Sequence, residues 1–340
     1  MRTTALGQTG LTSSVLGFGC SALLGRAGRR DSLRALAASW DAGITLYDTA
    51  RSYGYGESEA LLGEFLRGRR DRAVISTKFG ILPAPQQLWK RIAKPAARTL
   101  LSLMPSAHGA LRKQAATQFT GDQFTVEVLV KSIEESLKKL RTDYVDLLFM
   151  HSAPASVLDD DRLLSALGQL VSSGKVRVAG ISADPTIIDL TLSRQPAHIR
   201  ALQFPCNVFD LSVTRVLSRT HALSGQSGPE SAPEYAAFAN HPFGGAVRVH
   251  QSRTILQQLA GSPHVAPELR EKLGGVNDSV LADVVLNVIL SGTGIHTVIP
   301  AMMKIPHLEK NIAAVVSSRF TAEELAQLRV SLTQASAEPH

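Results

Sequence analysis

The sequence is poor in the features that announce most catalytic classes. Cysteine occurs only at Cys20 and Cys206 in 340 residues, too sparse for a disulfide framework or a zinc-ligand spacing. The two read best as small buried hydrophobes in a reducing compartment. No G-x-G-x-x-G, P-loop, H-E-x-x-H or G-x-S-x-G motif occurs. A Rossmann fingerprint, a phosphate loop, a zinc-protease helix and a nucleophile elbow are therefore all missing. No tyrosine is followed four residues later by lysine, the pair a short-chain dehydrogenase requires. No apolar run reaches the length of a membrane span. The short apolar stretch at 15–25 follows polar residues and a single early cation, Arg2, and reads as a strand with its loop rather than a signal core. A cytoplasmic protein is the expectation.

Acidic residues are absent from one long segment. Between Gln86 and Phe119 lie Lys90, Arg91, Lys94, Arg98, Arg112 and Lys113 with no Asp or Glu, so this segment holds six of the seven net positive charges. That concentration argues against a global nucleic-acid surface, and no nucleic-acid-binding module accompanies it. It reads as a local basic insertion, a lid or surface segment over residues 80–122, most simply a solvated face. Trp89, Leu100, Leu101, Leu103 and Met104 interleave with the cations, so peripheral contact with a membrane surface is the lesser alternative.

What the chain has in quantity is alternation. Apolar β-rich runs at 14–19, 44–48, 73–79, 144–150, 176–182, 201–205, 235–240 and 297–300 are separated by helical patterns. Helices are expected at 31–42, 58–66, 125–140, 159–173, 185–192, 280–290, 305–316 and 321–331, with a further short one at 211–217 before a polar loop at 224–233. Val126, Leu129, Val130, Ile133 and Leu137 recur at helical spacing, and Gly174 ends the helix before the fifth strand. Eight strands with intervening helices predict an α/β fold, a (β/α)8 TIM barrel, with a doubly wound open sheet as runner-up. There is no internal repeat or linker, so a single domain over 1–340 is the economical division. No residue pattern bears on oligomeric state.

Three successive predicted strands end in ionisable groups. The second ends Tyr47-Asp48, the third Thr77-Lys78, the fourth Met150-His151, and Tyr53 follows Asp48 in a glycine-rich loop. An aspartate at the end of a buried strand needs a partner. Taken alone, Asp48 with Lys78 would be a structural ion pair, His151 a satisfied core histidine and Tyr53 an exposed loop phenol. At one barrel mouth they suit carbonyl chemistry. Tyrosine's pKa of about 10 is too high for good proton donation at neutral pH, and a nearby ammonium lowers it. Asp48 would fix Lys78, and His151 would orient a substrate oxygen. Tyr55 is the competing phenol.

Further pieces extend the pattern: Leu16-Gly17-Phe18-Gly19, Asp41-Ala42-Gly43-Ile44, Gly56-Glu57-Ser58-Glu59, Thr142-Asp143-Tyr144-Val145-Asp146-Leu147, Gly180-Ile181-Ser182, Gln203, and Val298-Ile299-Pro300 with Asn311. In this order they resemble the aldo-keto reductase family over nearly the whole chain. The resemblance implies an NAD(P)-dependent oxidoreductase acting on carbonyl or CH–OH groups, with Asp48, Tyr53, Lys78 and His151 as catalytic residues. It implies NADP(H) as cofactor, with NAD(H) as the alternative. Around the cofactor it places Gly19, Cys20, Asp48, Ser182, Gln203, Asn240, Pro300, Met302, Met303, His307, Lys310 and Asn311. The chain departs from the family around the nicotinamide: Ala183 stands where an Asn is usual, and Asn240 where a Tyr often stacks. Met303 or His307 occupies the usual Arg positions, leaving Lys304 and Lys310 as cations near the expected 2′-phosphate end.

The implied reaction is reduction of an aldehyde or ketone, with the proton from Tyr53 and a small carbonyl or sugar as partner. An NAD-dependent aldose or lactol 1-dehydrogenase is the alternative. A cofactor-sensing protein without turnover is a third.

Overall fold

The computed structural model describes residues 1–25, 28–83, 119–120, 123–214, 217 and 234–334. The chain opens with an antiparallel hairpin, β1 (Thr3–Ala5) with β2 (Thr12–Ser14), too short to leave a periodic signal in the sequence. Strands β3 (Phe18–Gly19), β4 (Leu46–Asp48) and β5 (Val74–Phe79) then begin the main sheet. The segments β6 (Leu82–Pro83) and β7 (Phe119–Thr120) pair with each other, antiparallel. The main sheet continues with β8 (Val145–His151), β9 (Val176–Ser182), β10 (Ile199–Pro205), β11 (Ala236–Asn240) and β12 (Thr297–Ile299). Its order is β3-β4-β5-β8-β9-β10-β11-β12, parallel throughout.

The two ends of this sheet meet. Gly17 N donates to Val298 O (2.8 Å), Val298 N to Val15 O (3.0 Å) and Gly19 N to Pro300 O (3.2 Å). A Cβ on Gly19 would lie 3.0 Å from Pro300 O, so a side chain there would crowd the seam. The result is the expected eight-stranded parallel barrel.

Helices α1 (Arg29–Asp41), α2 (Ser58–Phe65), α3 (Val126–Leu140), α4 (Asp161–Ser172) and α5 (Pro185–Arg194) cover the outside of the first half. Helices α6 (Gly245–Gly261), α7 (Pro267–Leu273), α8 (Asp278–Leu290), α9 (Ile305–Val316) and α10 (Ala322–Gln334) follow. Local chemistry sets several boundaries. Thr125 caps α3 by accepting from Val128 N, and Arg141 ends it in the left-handed region at φ 57°. Asn277 caps α8 through Ser279 N and Val280 N. No single helix among the described residues is long and apolar enough to cross a membrane, and α7 with α8 forms one apolar pair bent by 118°.

Two apolar cores result. One lies between sheet and helices, with Leu36, Leu62, Ile133, Leu167, Val284 and Leu308 among its members. The other fills the barrel: Leu6 and Leu11 from the hairpin loop join Leu46, Val74, Leu147, Phe149, Val178, Phe238 and Ile299. The hairpin thereby plugs the end where the strands begin. The barrel strands are largely buried on both faces, as parallel strands under helices are.

Two expectations need amendment. The stretch after β11 contains helices α6 and α7, which the sequence pattern did not announce. Of the expected insertion, only the stem pair β6–β7 and the residues at its base are described; residues 84–118, with all the cations named above, lie outside the described residues, as does most of 211–233.

Candidate active site

The strand register brings the expected residues to one rim. Gly19 pairs with Asp48, and Asp48 with Ser76. His151 pairs with Ser182, Ser182 with Gln203, and Asn240 with Ile299. All lie at or near the C-terminal ends of their strands, the end where (β/α)8 enzymes carry their chemistry.

Asp48 is the hub. Lys78 Nζ donates to both of its carboxylate oxygens at 2.7 Å and to Thr49 O at 2.9 Å. Ser76 Oγ and Gln203 Nε2 (2.9 Å) donate to Oδ1 of the same carboxylate. Ser182 Oγ in turn donates to Gln203 Oε1 at 2.9 Å. Asp48 and Lys78 are both buried, and such a pair survives burial only with this degree of hydrogen bonding. Burial works against the Lys78 ammonium, but the Asp48 carboxylate beside it raises its pKa overall. The ammonium therefore stays charged.

Tyr53 stands over this pair. It begins a tight turn, Tyr53–Gly56, in which Gly54 (φ 58°) and Tyr55 (φ 59°) are both left-handed. A Cβ on Gly54 would lie 2.6 Å from Leu23 O, so only glycine permits the turn to pack on the loop after β3. Lys78 Nζ lies 4.9 Å from the centre of the Tyr53 ring, and the His151 ring meets that ring edge-on at 5.8 Å.

The electrostatics correct one expectation. Lys78 does pull the Tyr53 pKa down, but withdrawal of the phenol from water pushes it up more strongly, and the net shift is upward. In this state Tyr53 is a firmly protonated phenol, a donor rather than a phenolate. His151 is held neutral: burial and the Lys78 charge lower its pKa to about 3. Its buried Nδ1 has no hydrogen-bond partner among the described residues.

The expected cofactor shell is assembled in part. Asn240 Oδ1, at the end of β11, is a second buried polar atom on this rim without a partner among the described residues. Two unfilled polar atoms on one rim, beside a Ser182–Gln203 pair, fit a ligand carrying amide donors and a polar oxygen. Ala183 is buried, and its N–H donates to Gln203 O (3.0 Å). Cys20 and Met302 are fully buried, and Asn311 is buried on α9. Lys304 and His307 lie at the exposed start of α9. Lys310 is engaged elsewhere: its Nζ donates to Asp278 Oδ2 at 2.8 Å, and Arg253 donates to the other oxygen at 2.7 Å. These two cations hold Asp278 at a pKa of about 2.

Ser76 and Thr49 were not anticipated. A serine two residues before Lys78 faces Asp48 only because strand residues alternate, a signal available once Lys78 is placed on the inside of the barrel. Arg51 and Glu59, both buried behind the Tyr53 turn, were likewise not singled out.

A closed parallel barrel with a buried Asp–Lys pair, a phenol and a neutral histidine at its C-terminal mouth defines a class of enzyme-like site. The family comparison agrees. Residues 15–224 match the Aldo/keto reductase family, and the chain belongs to it. Members of this family are NAD(P)-dependent oxidoreductases acting on carbonyls. The aldo-keto reductase YhdN of Bacillus subtilis is 28% identical over 216 residues, 62% of this chain and 55% of the relative. The D-threo-aldose 1-dehydrogenase of a Pseudomonas species is 35% identical over 185 residues, 52% of this chain and 50% of the relative. These alignments span about half the length of the relatives. Among solved structures, the holo form of an aldo-keto reductase from Bacillus halodurans superposes with a TM-score of 0.68 at 22% identity, covering 97% of this chain and 96% of the other. An aldo/keto reductase from Klebsiella pneumoniae in complex with NADP and acetate gives 0.64 at 21% identity, covering 97% and 95%. At these identities the superpositions speak to the fold.

Proposed function

We propose that this protein catalyses NADP(H)-dependent reduction of an aldehyde or ketone at the mouth of the barrel. The observation that carries the reading is the arrangement of a neutral Tyr53 phenol, a charged Lys78 and a neutral His151 around one small volume. The bound nicotinamide would supply the hydride.

Tyr53 delivers the proton to the carbonyl oxygen. As its O–H bond breaks, negative charge grows on the phenolic oxygen, and the Lys78 ammonium beside the ring stabilises it. The same ammonium that cannot offset burial in the resting phenol thus acts where it matters, on the charge that develops. Asp48, Thr49 O, Ser76 and Gln203 keep Lys78 in place and charged. His151, neutral at physiological pH, offers a ring nitrogen for hydrogen bonding to substrate. Ser182, Gln203 and Asn240 would hold the carboxamide, with Gly19, Cys20 and Pro300 lining the closed seam. Met302, Met303, His307, Lys310 and Asn311 would face the adenosine end.

A second reading is oxidation of an aldose or lactol with NAD⁺. The specific observation in its favour is the Lys310–Asp278 bond, which occupies one of the two cations, Lys304 and Lys310, near the expected 2′-phosphate end. A relative named D-threo-aldose 1-dehydrogenase points the same way. Purified protein assayed with both cofactors, in both directions, against a panel of aldehydes and aldoses separates the readings. Faster turnover of aldehydes with NADPH supports the first, and faster aldose oxidation with NAD⁺ replaces it with the second. Tight cofactor binding with no turnover on any carbonyl would favour a sensor.

A further inference from the structure

Arg51 belongs to the loop between Asp48 and Tyr53, yet its side chain reaches the helices outside the barrel. It is 6% exposed. Its Nη1 donates to Ser132 O on α3 at 3.3 Å, and its Nη2 to the Glu135 carboxylate on the same helix. Its Nε stands 3.7 Å from Glu59 Oε2 on α2. Glu59, 1% exposed, accepts from Thr77 Oγ1 at 2.7 Å through its other oxygen. Thr77 directly precedes Lys78 in β5. On the far side of the turn, Lys139 Nζ on α3 donates to Gly56 O at 2.8 Å. Helix α3 therefore grips the Tyr53 turn at both ends, and the Arg51–Glu59–Thr77 chain ties that turn to the strand bearing Lys78.

The arrangement is not optimal for stability. Arg51 Nε and Glu59 Oε2 face each other without a hydrogen-bond partner for either among the described residues. A buried pair left in this condition stabilises no more than well-packed apolar residues would. What it provides is geometry, in a turn that already carries two successive left-handed residues.

We propose that Arg51 is a positioning residue for proton transfer: it fixes the Tyr53 turn so that the phenol stays over the Lys78 ammonium and beside His151. The inference rests on the reading of Tyr53 as proton donor. A displacement of the order of 1 Å in such a group is expected to lower turnover by roughly 10- to 100-fold.

The test uses three substitutions: Arg51→Met, the same change with Glu59→Gln to remove the orphaned buried charge, and Arg51→Lys, which keeps the charge but loses the fork. Each is measured for kcat, KM, NADPH affinity by fluorescence titration, and melting temperature. The expected result is a lowered kcat with unchanged NADPH affinity in every variant that melts near the parent. Arg51→Lys is expected to lose least. Adding Arg51→Met with Glu59→Gln to Tyr53→Phe should cost nothing further, because the phenol it positions is gone. Parental kcat in the double variant or in Arg51→Lys overturns the proposal, as does a loss that adds fully to that of Tyr53→Phe. Full activity of Tyr53→Phe would instead remove the proton-donor reading itself, whatever the Arg51 variants do.

Discussion

The two ends of the barrel handle buried charge differently. At the end where the strands begin, Asp146 is 1% exposed and bonded to Arg70 (2.8 Å), Arg177 (3.0 Å) and Ile75 N (2.9 Å). Leu6 and Leu11 plug that end from below, and Asp146 has no side-chain atom lacking a partner. At the other end Asp48 is equally well satisfied, but its surroundings are not: His151 Nδ1 and Asn240 Oδ1 are buried and unfilled. Full pairing at Asp146 suits a residue that holds the fold together. Incomplete saturation beside a charged lysine marks the end suited to receive a ligand.

Substitutions at the two ends should therefore separate activity from stability. Lys78→Met at the mouth is expected to lower kcat by about 10²–10⁴-fold, the range of a lost acid–base contribution. Initial rates at saturating cofactor check this, and parental turnover would erase the functional end of the comparison. At the opposite end, Asp146→Ala is expected to cost about 1–3 kcal/mol of stability, because the buried Ile75 N–H loses its acceptor and Arg70 loses one of its acceptors, while kcat per folded molecule holds. Chemical denaturation with parallel rate measurements reads both.

The histidine adds a pH signature. The unfolded chain takes up a proton on His151 near 6.5, and the folded chain only near 3. The folded state is thus penalised as pH falls below about 6.5. Melting temperature should decline less steeply across that interval in His151→Gln than in the parent, and identical slopes would contradict the neutral assignment. The smallest effect concerns the adenosine side. Asp278→Asn frees Lys310, and an exposed ion pair is worth about 0.5–1 kcal/mol. NADPH affinity relative to NADH should rise by roughly two- to fivefold. No change in that ratio would take Lys310 out of the cofactor shell.

Most of the barrel was legible because its strands are continuous apolar runs between amphipathic helices. The ranges 176–182 and 305–316 coincide with β9 and α9. Helix α6 escaped because its only buried residues are Ser252, Ile255 and Leu256, too few to leave a face in the sequence. The hairpin β1–β2 escaped because three-residue strands have no period to read. Asp48, Lys78 and His151 were legible because each sits at a strand end, where an ionisable side chain is conspicuous; Tyr53, in the loop beyond β4, was legible only through the family resemblance. The Gln203 bond to Asp48 was not, since it joins residues far apart in sequence across the barrel mouth. Nor was the direction of the Tyr53 shift, which depends on burial, a quantity the sequence does not carry.

The central claim is that Tyr53 gives up the proton. Tyr53→Phe removes one oxygen from a site whose Asp48–Lys78 pair has its own partners, so folding should be kept. Single-turnover reduction of an aldehyde by the NADPH-loaded protein tests it directly. A fall in the rate by about 10²–10⁴-fold with unchanged NADPH affinity is the predicted result. A parental single-turnover rate would contradict it.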